Sequence, residues 1–254
     1  MNLKDKTWKE DNENQLKLAG HSASLVGDVI YISGGFTGPK QEQINHTLLA
    51  LHTETLECTQ LHELTDTPHF FHHSVCISRL NVLFFACKPT ADDSPKYFNM
   101  IHLYDIKNNA FLKLPTMSFS GTSPPYRERY SAMKVAEKVF LFGGEYDGVV
   151  FDDLWLYDAK ANSWTPIFPG GHRPTPRYFH GTAVTDKEFL VFGGRDKDNQ
   201  TLSDFYGLDI KETRWVSYNF KDTEPPEREG TYSLFATADN RNVFAFGGST
   251  SNTS

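Results

Sequence analysis

Apolar and polar residues fall along this chain in short bursts, and the bursts recur with the same internal order. An alternating stretch comes first, as in Tyr130-Ser-Ala-Met-Lys-Val-Ala136. A polar break at Glu137-Lys138 follows, then a continuously apolar run that ends on two glycines, Val139-Phe-Leu-Phe-Gly143-Gly144. The alternation predicts a strand with one covered face, and the unbroken run predicts a strand covered on both faces. Glycines at its end suit a sharp bend where another backbone comes close. After a polar gap, Leu154-Trp-Leu-Tyr-Asp158 and Ser163-Trp-Thr-Pro166 predict two more strands joined by a turn at 159–162.

The same order returns along the whole chain. The apolar run and its small pair recur as Tyr31-Ile-Ser-Gly34-Gly35, Phe84-Phe-Ala86-Cys87, Leu190-Val-Phe-Gly193-Gly194 and Phe244-Ala-Phe-Gly247-Gly248. With Gly143, the first members of these pairs lie 52, 57, 50 and 54 residues apart, a period that signals a repeat architecture. Downstream of the first four pairs come Leu48-Leu-Ala-Leu51, Ile101-His-Leu-Tyr104, Leu154-Trp-Leu-Tyr157 and Phe205-Tyr-Gly-Leu208. Seven residues beyond the end of each stand Cys58, Phe111, Trp164 and Trp215. The spacing survives where the residue type has drifted, which argues for one shared backbone.

A glycine pair after a strand, a third strand ending in Tyr/Leu-Asp, and a tryptophan seven residues on together resemble the kelch repeat. The resemblance implies an all-β, kelch-type β-propeller in which each repeat is one four-stranded antiparallel blade. Gly34, Gly35, Gly143, Gly144, Gly193, Gly194, Gly247, Gly248, Trp8, Trp164 and Trp215 are its expected structural positions. A single domain over 1–254 is expected, with repeats at about 17–62, 70–115, 127–167, 177–219 and 228–254. Four blades read as complete and the fifth as partial. Residues 6–10, with Trp8, look like the outer strand of a closing blade, but its third strand is in neither terminus. Three outcomes stay open: the tail improvises that strand, the blade stays short and closure is incomplete, or the natural chain continues past residue 254.

Composition narrows the function classes. No stretch approaches the roughly 20 apolar residues that span a bilayer, so no membrane partner is expected. A net charge of −7 disfavours nucleic acid, which would call for a basic stripe. The first eight residues hold no apolar run, and three cysteines without regular spacing argue against a disulfide framework. A cytoplasmic location, with the nucleus as a second compartment, is the expectation.

Antiparallel geometry places the longer loops, among them 145–153, 166–177 and 195–202, on one face of the propeller. Long loops on a rigid scaffold are where binding residues concentrate. Arg127, Arg177 and Arg228 recur just ahead of inner strands, where the first two repeats have Leu18 and Phe70. Guanidinium forks ringing a channel mouth would suit a carboxylate or an acidic peptide, and the resemblance implies such work for arginines near this mouth. The alternative is that each arginine bridges loops within its own repeat. Tyr146, Asp147, Arg195 and Asp196 on adjoining loops complete the candidate partner-binding set. Histidines at 21, 73 and 180 share one repeat position, which favours a scaffold hydrogen bond over a metal site. No catalytic constellation, metal site or cofactor motif is present in the sequence. The expected function is a non-catalytic scaffold or substrate adaptor that binds a protein or peptide, in a setting such as a ubiquitin ligase or a cytoskeletal assembly. The second reading is an accessory or substrate-binding domain of an enzyme, with a small ligand in the central channel.

Overall fold

The four strands of each of the first four repeats pair in sequence order into one antiparallel sheet. The computed structural model describes residues 18, 20–37, 43–63, 70–87, 101–112, 123–219, 229–236 and 242–249. Blade 1 comprises β1 (Ser22–Val26), β2 (Val29–Ser33), a small hairpin of β3 (Phe36–Thr37) and β4 (Gln43–Ile44), then β5 (Thr47–His52) and β6 (Cys58–Glu63). Its sheet runs in the order β1-β2-β5-β6. Blade 2 is β7 (Phe70–Ser78), β8 (Asn81–Cys87), β9 (Ile101–Asp105) and β10 (Ala110–Leu112), paired in sequence although Ala86 and Cys87 stand where glycines are expected.

Blade 3 pairs β11 (Ser131–Val135), β12 (Lys138–Phe142), β15 (Leu154–Asp158) and β16 (Ser163–Ile167). The stretch expected to loop out between its second and third strands instead forms a hairpin of β13 (Glu145–Tyr146) and β14 (Val149–Val150). A second addition interrupts the next expected loop. There β17 (Gly170–Gly171) lies parallel to the outermost strand of blade 4, and the Gly170 N–H donates to the Thr213 carbonyl at 3.0 Å. Blade 4 is β18 (Gly181–Val184), β19 (Glu188–Arg195), β20 (Thr201–Asp209) and β21 (Arg214–Tyr218), and a fifth sheet pairs β22 (Glu229–Ala236) with β23 (Val243–Ser249). The inner strands touch in the order β1, β7, β11, β18, β22. Among the described residues the architecture is the expected all-β propeller, with four four-stranded blades, the fourth extended by β17, and two strands of a fifth. Trp8 lies outside the described residues.

The core sits between blades rather than within one. Between blades 2 and 3, Val75 and Ile101 meet Ala132, Leu141, Trp155, Tyr157 and Trp164. Between blades 3 and 4, Phe140, Phe142 and Leu154 meet Phe189, Tyr206, Leu208 and Trp215. The repeat tryptophan thus packs backward onto the preceding blade: the Trp215 ring lies 5.3 Å from that of Phe142. Burying an aromatic of this size contributes about 3 kcal/mol.

The glycine pair is what lets neighbouring blades approach. Gly143 and Gly144 have φ of +66° and +97°, and the Gly144 N–H donates to the carbonyl of Arg177 in the next blade at 2.9 Å. A Cβ on Gly143 would stand 2.7 Å from that carbonyl oxygen, and one on Gly144 2.6 Å from the Glu128 carbonyl oxygen. Both the backbone conformation and the space therefore require glycine.

On the opposite face the third and fourth strands are joined by tight turns with their own internal logic. The Asp158 carboxylate accepts from the N–H groups of Lys160 and Ala161 at 2.9 and 3.1 Å. Asn162 then adopts the left-handed conformation (φ 47°), and its side-chain oxygen accepts from the Tyr157 hydroxyl at 2.7 Å. Burial, helped by the Asp158 charge, pushes the Tyr157 pKa up to about 12, so the hydroxyl remains a donor. Blade 2 repeats the arrangement with Tyr104 and Asn109. Blades 1 and 4 keep the left-handed residue, at Leu56 and Thr213, but have leucine in place of the tyrosine.

Two outcomes follow for chemical denaturation. Gly144→Ala should lower the unfolding free energy by about 2 kcal/mol or more, through strain and the clash with Glu128. Tyr157→Phe should cost about 1 kcal/mol, the value of one buried hydrogen bond. An unfolding curve for Gly144→Ala that overlays the wild type would contradict the close-approach argument.

Candidate functional site on the rim of blades 3 and 4

The loop face is built around the residues that enter each inner strand. Arg127 and Arg177, expected to ring the channel mouth as partner contacts, are instead fully buried struts within their own blades, both 0 % exposed. Arg127 donates from Nε to the Pro125 carbonyl (3.1 Å), from Nη1 to the Gly143 carbonyl (3.1 Å) and to Asp153, and from Nη2 to Asp153 Oδ2 (2.9 Å). Its guanidinium also lies 4.0 Å from the centre of the Phe151 ring. Arg177 repeats the pattern, donating to the Thr175 carbonyl (3.1 Å), the Gly193 carbonyl (3.0 Å) and both oxygens of Asp204 (2.6 and 2.8 Å). A fork whose donors are taken up in this way has no face left for a partner. Arg228, the third of the set, lies outside the described residues.

A signal for this role was present in the chain. Asp153 and Asp204 stand immediately before the apolar runs Leu154–Tyr157 and Phe205–Leu208 of the two repeats that carry the arginine. In the repeats where Leu18 and Phe70 replace it, Thr47 and Met100 stand at the aspartate position. Arginine and aspartate come and go together, as partners do. In blade 1 the Asn45 amide takes over part of the task, donating to the Gly34 carbonyl at 3.0 Å.

Two residues after each buried arginine the chain makes an unusual turn. Arg129 and Phe179 both have left-handed backbones, with φ of 55° and 57°, at the place where blade 1 has Gly20, φ 68°. Such a conformation is costly for a residue with a side chain, and it turns attention to what that side chain does. The Arg129 guanidinium lies 4.8 Å from the centre of the Phe179 ring, so the strained residue of blade 3 rests on that of blade 4. Its Nη1 also donates to Glu145 Oε1, and the two side chains keep 31 % and 18 % of their surface exposed. Arg129 is the rim arginine that sequence reasoning missed. Its equivalence to Gly20 was the available clue.

The remaining candidates line the same rim. Backbone bridges join Glu128 to Glu145 in blade 3 and Tyr178 to Arg195 in blade 4. Arg195 is half-buried, and its Nη1 donates to the Asn199 side-chain oxygen, which also accepts from the Tyr178 hydroxyl at 2.7 Å. Asp196 turns inward to its own loop, accepting from the N–H groups of Asp198 and Gln200, both at 2.9 Å. Tyr146 packs edge-on against Tyr126 at 4.5 Å, and Asp147 is exposed at the hairpin tip with φ 49°. His180 is occupied by the scaffold: its Nε2 lies 2.8 Å from the Ser131 hydroxyl across the blade boundary. Among the described residues, no group of three or more His, Cys, Asp or Glu side chains could hold a metal ion.

Electrostatics supports the split between struts and rim. Burial works to raise the pKa of Asp153, but the hydrogen bonds and charge of Arg127, with the Trp155 N–H, outweigh it and hold the carboxyl below its ordinary value. Such a group stabilises the fold above its unfolded value and loses that contribution as pH falls through the folded one. Stability should therefore drop below pH 3.8, the ordinary carboxyl value. Arg127→Ala should cost about 3 kcal/mol, at the low end for a broken buried pair because Asp153 keeps some solvent contact. It should also flatten the acid limb. Denaturation midpoints across pH 2–7 measure both, and a variant with the wild-type acid limb would remove the strut assignment.

Comparison with known proteins agrees with this architecture. The model for the KLHDC2/KLHL20/DRC7 Kelch-repeats domain matches residues 20–253. Kelch domain-containing protein 2 of Bos taurus is 30% identical over 134 residues, 52% of this chain and 32% of that protein. Kelch domain-containing protein 10 of Xenopus tropicalis is 27% identical over 200 residues, 76% of this chain and 47% of that protein. Kelch domain-containing protein 3 of Homo sapiens is 25% identical over 184 residues, 69% of this chain and 47% of that protein. The chain spans about half or less of the length of these relatives. Kelch propellers generally mediate protein interactions and are generally not enzymes. With its repeat glycines, interblade tryptophans and four four-stranded blades, this chain belongs to the kelch-repeat β-propeller family.

Proposed function

We propose that the chain is a non-catalytic adaptor that docks a protein or peptide on its loop face, with Arg129 and Arg195 receiving carboxylate groups of the partner. The observation that carries this reading is the division of labour among the arginines. Arg127 and Arg177 are consumed by the fold, whereas Arg129 and Arg195 stand half-exposed at the mouth. Both are held in place before any partner arrives, Arg129 by Phe179 and Glu145, Arg195 by Asn199. Preorganised side chains lose less freedom on binding, so more of the contact energy becomes affinity. Tyr146 and Tyr178 add flat amphipathic surface beside them, the residue type that dominates interface hot spots.

Affinity capture from cell extract, compared between wild type, Arg129→Ala and Arg195→Ala, tests the reading. Each change should reduce recovery of a specific partner about tenfold, equivalent to the loss of one charge-assisted contact, and leave the unfolding midpoint within a degree or two. Partners recovered equally from all three proteins would refute docking at this rim.

A further inference from the structure

We infer that β17 is a guard strand: seated on the outer edge of blade 4, it closes a site where a second copy of the chain would otherwise pair. The inference is independent of the docking role proposed above. Its basis is a comparison of the four outermost strands, whose edges offer main-chain groups to any extended chain nearby. β6 carries an extra residue, Leu61, at a register shift, and such a bulge spoils an edge for pairing. β10 is only three residues long. β16 contains Pro166, which has no N–H to donate. β21 has none of these protections: its five residues, Arg214–Tyr218, run in unbroken register with β20 and include no proline. It also leaves Val216 and Tyr218 41 % and 37 % exposed. Among the described residues, β21 is instead the outer strand that has another strand laid on its edge, and that strand is β17.

The seat is specific to one of the two glycines. A Cβ on Gly171, where φ is +81°, would stand 2.2 Å from the Trp215 carbonyl oxygen, whereas one on Gly170 would meet nothing within 4 Å. Just past the pairing the strap is tethered, with the His172 ring stacked on Tyr206 at 6.3 Å and Arg173 Nε 3.2 Å from Asp152 Oδ2. The Thr213 carbonyl receives the Gly170 N–H, so by strand alternation the main-chain groups of Trp215 and Ser217 also face outward from blade 4. While β17 occupies Arg214 and Trp215, the full edge cannot take another strand. Once it is detached, two copies can pair antiparallel about a two-fold axis through Val216. That register sets Arg214 of one copy across from Tyr218 of the other, whose hydroxyl donates to the Glu188 carboxylate. A cation thus faces a ring and an anion at both ends of the pair, and the exposed valines meet at its centre.

Sedimentation velocity of the full chain over a range of concentrations tests this with a matched pair of double variants. Gly171→Val with Arg173→Ala cuts the tether and forbids the seat, whereas Gly170→Ala with Arg173→Ala cuts the tether and leaves the seat intact. The first should form a dimer, with a self-association constant raised roughly tenfold or more over wild type. The second should sediment as wild type. Adding Ser217→Pro to the first removes an outward N–H without touching the ladder to β20, and should return it to wild-type behaviour. Raised association in both double variants, or in neither, would overturn the inference, as would association that survives Ser217→Pro. Should the valine variant not fold, Gly171→Ala with Arg173→Ala takes its place under the same criteria, since a single carbon already meets the Trp215 carbonyl. Association through any other part of the surface is common to all these proteins and leaves the comparison unchanged.

Discussion

A backbone hydrogen bond from Gly144 to the Arg177 carbonyl marks the constraint on which the molecule depends: neighbouring sheets must come close enough for main chain to meet main chain. Each blade is too thin to bury its own faces, and its large apolar residues are covered by the blades on either side. The aromatic cluster around Phe142 and Trp215 forms at the boundary where Gly143 and Gly144 permit that spacing. Stability in such a repeat array is a sum of neighbour interfaces, and between blades 3 and 4 the glycine pair sets the approach.

The same constraint shapes the loop face. Once the glycine carbonyls turn into the blade, they need donors, and Arg127 and Arg177 supply them while gripping Asp153 and Asp204. Filling that need leaves the chain committed to a left-handed turn two residues later, before it can enter the inner strand. Blade 1 meets the turn with Gly20, whereas blades 3 and 4 meet it with Arg129 and Phe179. The rim proposed for docking thus lies on a position whose left-handed backbone recurs in blades 1, 3 and 4. The side chains there are free to vary as long as their strain is tolerated.

The strands, their pairing order and the tight turns were legible because they rest on local periodicity and on spacing repeated four times. Even the worn second repeat pairs as the others do: β8 keeps its apolar run and its place between β7 and β9 although its glycines are gone. The pieces that escaped were those made by contact between repeats. The strand Gly170–Gly171 exists because the edge of blade 4 is there to receive it, not because two glycines favour a strand. The Glu145–Val150 hairpin likewise carries too few apolar residues to announce itself.

Residue order alone therefore determined an all-β ring of homologous sheets, the face on which the longer loops gather, and the positions where glycine is required. It also contained the paired arrival of arginine and aspartate, although a single repeated arginine could be taken for either a strut or a contact. Tertiary structure decided which it was. Arg127 and Arg129 are the same residue type two positions apart, and nothing local separates them. One is buried because a carboxylate 26 residues ahead and the carbonyl of Gly143 close around it, and the other stays partly exposed where a left-handed turn sets it against Phe179 of the neighbouring blade. Burial and exposure are properties of how distant segments pack, so they are settled only once the ring has assembled.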